Sequence, residues 1–159
     1  MDLKDKVIEW FVERNLHEAN PVKQFEKLLE ESGELFEGVA KKKSDLIFDA
    51  LGDIQVVLIG LEQQIKNGAD IKASPEELEL LLLVSNLGNL AEKLFSHIHN
   101  NDSMVPVVHS ELSLLFGNVH ALAIHNGSSA DSCLSLAYDV IKDRKGKLVD
   151  GVFVKNEDL

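Results

Sequence analysis

Leu46-Ile47-Phe48-Asp49-Ala50-Leu51-Gly52-Asp53-Ile54-Gln55-Val56-Val57-Leu58-Ile59-Gly60-Leu61 is the stretch on which the fold turns. Wound at about 100° per residue, it is apolar around nearly its whole circumference, which predicts a helix buried on most sides. Such a helix needs other helices packed around it. Asp49 and Asp53 interrupt it, four residues apart and on one face. Burying an unpaired carboxylate is costly, so a cation is expected beside them.

Helix punctuation lies on both sides of this stretch. The helix itself runs from about Asp45 to Asn67 and stops at Gly68, a residue suited to the left-handed turn after a helix. Before it, Asn20-Pro21 opens a helix with a cap and a first-turn proline, ending at Lys41-Lys42-Lys43, where positive charge opposes the helix dipole. A further helix covers Leu3 to Asn15. After it, Ser74-Pro75-Glu76-Glu77 reads as a capping box for a helix reaching about His99 and stopping at Asn100-Asn101-Asp102. A fifth helix is expected from near Pro106 to Asn126-Gly127, and a sixth from Ser129 to Lys145-Gly146. In the tail, Val149-Asp150-Gly151-Val152 suits a tight turn between two short extended pieces. The reading is an all-α bundle of about six helices with a short irregular or hairpin-like tail.

The 159 residues, 45% hydrophobic, suffice for one core and one domain. The lone Cys133 and an N-terminus without a basic-then-apolar leader fit a soluble protein of the reducing cytoplasm. The apolar run Leu80 to Val84 is far shorter than the roughly 20 residues that cross a bilayer. A net charge of −11 argues against a general nucleic-acid binder, which needs basic patches to displace counterions. It is compatible with binding small phosphates through divalent metal ions.

On the second helix, Phe25, Leu28, Leu29, Ser32, Phe36 and Val39 form one face, with Lys27, Glu31 and Glu34 opposite and Glu30 at the margin. Glu31 and Glu34, three apart, carry Cβ atoms about 5–6 Å from each other, close enough to share an ion. Glu and Lys at this spacing also decorate ordinary solvated helices. The acidic pair on the following helix tips the balance towards a metal site, since Lys27 is the one cation expected near these carboxylates. Oxygen ligands without cysteine or paired histidines select magnesium first and manganese second.

These residues resemble the MazG-like all-α nucleoside triphosphate pyrophosphohydrolases. The likeness rests on Lys27-Leu28-Leu29-Glu30-Glu31-Ser32-Gly33-Glu34-Leu35 and on Asp49-Ala50-Leu51-Gly52-Asp53. The family pattern, Glu-x-x-Glu followed by Glu-x-x-Asp, matches Glu31, Glu34 and Asp53. Ala50 stands where the third acid belongs, with Asp49 beside it as a substitute. A second patch, Ala137 to Lys147, is similar to the C-terminal helix end of phage and bacterial MazG-like proteins, many of which carry Asn at the position of Asp139. The likeness covers about residues 4 to 67 and 130 to 155, while 71–127 matches little beyond helical character.

The resemblance implies a four-helix core assembled as a homodimer or homotetramer, and magnesium-dependent conversion of a nucleoside triphosphate to monophosphate and pyrophosphate. Glu31, Glu34 and Asp53 would hold the metal, with Asp49 and Glu30 as further ligands or as the base for water. Lys27, Lys142, Arg144 and Lys145 are candidate phosphate contacts, although the last three also complement a helix dipole. Trp10 and Asn15, with Phe11 and Arg14, are candidate base contacts if the first helix borders the pocket, although an aromatic at helical spacing is more often core. Two alternatives stand beside this: a specialised pyrophosphohydrolase such as the phosphoribosyl-ATP type, and a non-catalytic helical scaffold or regulatory protein. The histidines His97, His99, His109, His120 and His125 form no ligand-spaced pair and read as surface or capping residues, and Cys133 reads as a buried structural thiol.

Overall fold

A computed structural model describes residues 2–100, 105–149 and 151–156. The protein is all-α, with six helices and one two-stranded hairpin among the described residues. The chain divides into two compact units, Met1–Ser74 and Pro75–Leu159. The boundary falls at the Ser74-Pro75 helix start.

The first unit holds α1 (Leu3–Glu13), a 3-10 turn (Leu16–Glu18), α2 (Pro21–Ala40) and α3 (Ser44–Lys66). Asp2 and Asp5 cap α1 reciprocally, each carboxylate accepting from the other's backbone N–H. Helix α1 lies across α3 where Phe11, 3% exposed, sits on Gly60. A Cβ at Gly60 would stand 2.2 Å from the Phe11 ring, so only glycine permits this crossing. A Lys4–Glu62 ion pair of 2.8 Å also ties α1 to α3, and the buried Gln64 amide donates to the Leu16 carbonyl at 3.0 Å, fixing the 3-10 turn.

Asn20 caps α2 as expected, accepting from Val22 N–H, and its own amide donates to Lys72 O across 2.6 Å. At the other end Lys42 adopts the left-handed conformation (φ 54°), while Lys42 and Lys43 N–H bond back to Val39 and Gly38 O. This is a Schellman ending with lysine where glycine is the usual occupant. The tight return makes α2 and α3 an antiparallel hairpin. A Cβ at Gly38 would lie 3.0 Å from Ile47, and the Gln24 amide donates to Val57 O at 3.2 Å.

Two expectations about this hairpin need correction. Its closest approach on α2 runs through Gln24, Glu31 and Gly38, at seven-residue spacing, while Phe25, Leu28 and Leu29 of the more apolar face are only half-buried. Phe36 and Val39 are 71% and 57% exposed, whereas Glu31 is 4% exposed. Helix α3, in turn, buries only the stripe Ala50, Val57, Gly60 and Gln64. Phe48 and Ile65 are left 70% and 60% exposed, and Asp49 and Asp53 are exposed rather than buried. A single neighbouring helix on one side, plus α1 crossing on another, covers only part of an all-round apolar helix.

The second unit holds α4 (Pro75–Asn100), α5 (Val105–His125), α6 (Ala130–Ile141), β1 (Gly146–Val149) and β2 (Val152–Lys155). The expected stop at Asn101-Asp102 lies outside the described residues. Helices α4 and α5 run antiparallel, joined across their seam by a buried pair in which the Asn86 amide donates to Asn118 Oδ1 at 2.7 Å. Nearer the start of α4, the Asn126 amide donates to Glu76 at 3.0 Å. Ser129 caps α6, accepting from Ser132 N–H. The helix ends four residues before the expected Lys145, because the chain turns at Arg144, whose N–H bonds Ile141 O, and enters the hairpin at Gly146. The tail is thus the hairpin that the turn signal suggested, with Gly146 opposite Lys155 and Gly151 at φ 82°. No helix among the described residues is long and apolar enough to cross a membrane.

Candidate functional site

The acidic motif lies on the α2–α3 hairpin. Two contacts set the register, Gly38 against Ile47 and Gln24 against Val57. Midway between them Glu31 falls level with the turn of α3 that carries Ala50 and Asp53.

The electrostatics are those of an ion pair within one helix. Lys27 Nζ lies 2.5 Å from Glu31 Oε1 and 3.0 Å from Glu30 Oε2. The hydrogen bond to Glu31, then that to Glu30, raises the Lys27 pKa above the usual lysine value, so this lysine stays charged throughout the physiological range. Lys27, a candidate phosphate contact in the sequence, is engaged by two carboxylates of its own helix. Glu34, Asp49 and Asp53 are exposed, and Ala50, where the third acid of the motif would stand, is 1% exposed in the seam. In chemistry the all-oxygen donor set fits a hard divalent ion. In arrangement, no group of three His, Cys, Asp or Glu side chains among the described residues is gathered closely enough to hold one. Rotation of the exposed Glu34, Asp49 and Asp53, with Lys27 leaving Glu31, is what an ion would require.

Beside the motif is a cavity of about 640 Å³ between α1 and α3, bordered by Leu3, Val7, Gly52, Gln55, Val56 and Ile59. Gly52 adjoins Asp53 in the chain. A smaller space of about 300 Å³ shares Leu3, Val7 and Val56 and adds Trp10. Trp10 is half exposed, but the Arg14 guanidinium stands 4.4 Å from the centre of its ring and its backbone carbonyl accepts from Arg14. Phe11 is core. Asn15 occupies a left-handed position (φ 55°) between α1 and the 3-10 turn, a conformation that asparagine tolerates better than most residues, so its place is explained by the backbone.

The basic candidates belong to the second unit. Lys142 is paired with Asp139 at 2.8 Å. Arg144 and Lys145 border a separate cavity with Asp143, Val140, Lys155 and Asn156. Lys155 and Asn156 were not singled out by the sequence reading. The alternation of the final segment is too short to reveal that they pair back against residues 145 and 146. Cys133, expected to be buried, is exposed, since α6 has no buried residue at all.

No protein-family model matches the chain, and no solved structure matches it. One curated relative does. The chain is 53% identical over 57 residues to an uncharacterized 18.2 kDa protein in the rep-hol intergenic region of Haemophilus phage HP1 (strain HP1c1). That stretch is 35% of each protein, so the likeness spans about a third of the relative's length.

Proposed function

We propose that the first unit carries the acidic site of a magnesium-dependent nucleoside triphosphate pyrophosphohydrolase. The observation that carries this reading is Glu31, a carboxylate at 4% exposure in a helix seam, level with Asp53, whose ion pair is with its own helix and not with the neighbour. A buried charge that holds no second element in place contributes little to packing, and it is costly to retain. Glu31, Glu34 and Asp53 would hold the metal, with Asp49 in place of the acid missing at Ala50 and Glu30 available as a base. When bound, magnesium or manganese would neutralise triphosphate oxygens and acidify a water for attack at the α-phosphate. The apolar cavity beside Gly52 and Val56 suits a nucleobase, with Trp10 at its edge. Exposed Phe36, Val39, Phe48 and Ile65 favour a homodimer or homotetramer.

A second reading has its own observation. Ala50 is packed at 1% exposure where the motif calls for an acid, and Lys27 already neutralises Glu31, as in a helical scaffold or regulatory protein without turnover. The deciding experiment is pyrophosphate release from a panel of ribo- and deoxyribonucleoside triphosphates and phosphoribosyl-ATP, with magnesium, manganese or chelator. Metal-dependent release with matching monophosphate is expected from triphosphates. Release confined to phosphoribosyl-ATP would reassign the substrate, and a folded sample inert to the whole panel would leave the scaffold reading.

A further inference from the structure

Helix α5 is too apolar for the cover that its own unit gives it. Of its 21 residues only Glu111 is charged. A helix that is apolar all round is a buried helix, inside a larger assembly or a membrane. No helix among the described residues is long and apolar enough to cross a membrane, and within its unit α5 packs on α4 and α6. That packing leaves Phe116 74% and Val119 47% exposed.

What is left uncovered follows a pattern. Leu80, Val84, Leu87, Ala91 and Leu94 recur along α4 at alternating steps of four and three, and Leu112, Leu115, Val119 and Leu122 do the same along α5. This is the period of a coiled-coil seam. It is not the seam between the two helices, which passes through Asn86 and Asn118. At 3.6 residues per turn each run is rotated about 100° from its asparagine, in the same sense. In an antiparallel pair equal rotations away from the shared seam lead to the same side, so the two runs form one face of the hairpin. None of these positions is charged, in a chain of net charge −11. With Phe95 and Phe116 at its margins the face exposes on the order of 800 Å² of apolar surface, the share of one partner in a standard interface.

We propose that this face of α4–α5 docks on the same face of a second copy, about a two-fold axis, to make a four-helix bundle. Each hairpin brings two heptad-spaced runs, so the surface is complementary to itself. An uncharged face is also where two copies of an acidic chain meet without bringing like charges together. The face lies within residues 71–127, outside the segments that carry the resemblance, and does not involve Phe36 or Phe48. The proposal therefore does not rest on the pyrophosphohydrolase reading.

Sedimentation of the full chain over a wide concentration range tests it, with the wild type beside a Phe36→Glu/Phe48→Glu variant that disables the apolar surface of the first unit. Both should self-associate, the variant as a dimer. Adding Leu87→Glu and Val119→Glu to that variant should give a monomer with unchanged helical circular dichroism, because docking would bury the new charges. Leu87→Ala and Val119→Ala, which bring in no charge, should instead raise the dissociation constant of the dimer at least about 100-fold. Asn89→Glu, on the other side of the hairpin, should leave the dimer unaltered. A monomeric Phe36→Glu/Phe48→Glu variant, as when the first unit of the same chain covers this face, would overturn the proposal. So would an unaltered dissociation constant in the alanine variant, or equal weakening by Asn89→Glu.

Discussion

The α2–α3 and α4–α5 hairpins are both antiparallel helix pairs with a polar residue in the seam, and they use it in opposite ways. In α4–α5 the buried group is neutral and reaches across: Asn86 to Asn118. In α2–α3 it is charged and reaches along: Lys27 to Glu31 on the same helix. A cross-helix amide pair penalises any slip of one helix past the other, because a shift leaves two buried amides unpaired. An ion pair confined to one helix exerts no such control, and register there falls to Gly38, Gly60 and the Gln24 amide. The second hairpin's buried asparagines specify register, while in the first that task falls to the Gln24 amide and Glu31 is released from it.

The largest effect that would break this comparison is catalytic. Glu34→Ala or Asp53→Ala should lower pyrophosphate release by about 100-fold or more, the order seen when a group supporting transition-state charge is lost, with unchanged helical circular dichroism. Asn86→Asp should leave turnover per folded molecule unaltered. Wild-type rates in either acid variant would remove the functional half of the contrast. Next is Gly60→Ala, whose methyl meets the Phe11 ring. Overpacking of this kind costs about 1–3 kcal/mol, to be read as a lowered urea midpoint, with Phe11→Leu in the same chain recovering part of the loss. Asn118→Leu should cost about 1–3 kcal/mol by stranding Asn86, and the Asn86→Leu/Asn118→Leu double variant should regain most of it while losing unique register, visible as doubled amide resonances in α4 and α5. A double variant with one sharp set would show that the amides do not fix the register.

The smallest effect concerns the tether of α1. Hydrogen bonds from Lys4, then Lys66, lower the Glu62 pKa to about 2. The folded pKa is depressed, so the stabilisation is present above the unfolded value near 4.3 and is lost as pH falls through about 2. Wild type should therefore melt slightly above Glu62→Gln at pH 7, the gap closing between about pH 4 and 2. A constant gap across that range would assign the effect to packing.

Local rules made much of the fold legible. Asn20-Pro21, Ser74-Pro75 and Ser129 marked helix starts, and Gly68 and Gly127 marked stops with positive φ. The orientation of α2 was not legible, because Phe25, Phe36 and Val39 outweigh a single Glu31 in any hydrophobic pattern. Only the docking of Gly38 on Ile47 and of Gln24 on Val57 turns Glu31 inward. The exposure of Asp49 and Asp53 was missed for a related reason: an apolar helix surface reads the same in sequence whether or not the chain itself covers it. The early end of α6 depends on pairing between residues 146 and 155, and no helix signal near Lys142 reports it.

The four-residue separation of Lys27 and Glu31 also bears on the order of folding. A pair at this spacing forms as soon as α2 winds, a local event of about a microsecond or less, and before α3 has docked. The carboxylate therefore enters the seam already neutralised. Most of the dehydration of Glu31 falls in the docking step, with its partner in place, so this buried charge slows assembly of the hairpin far less than one that had to find a cation across the interface.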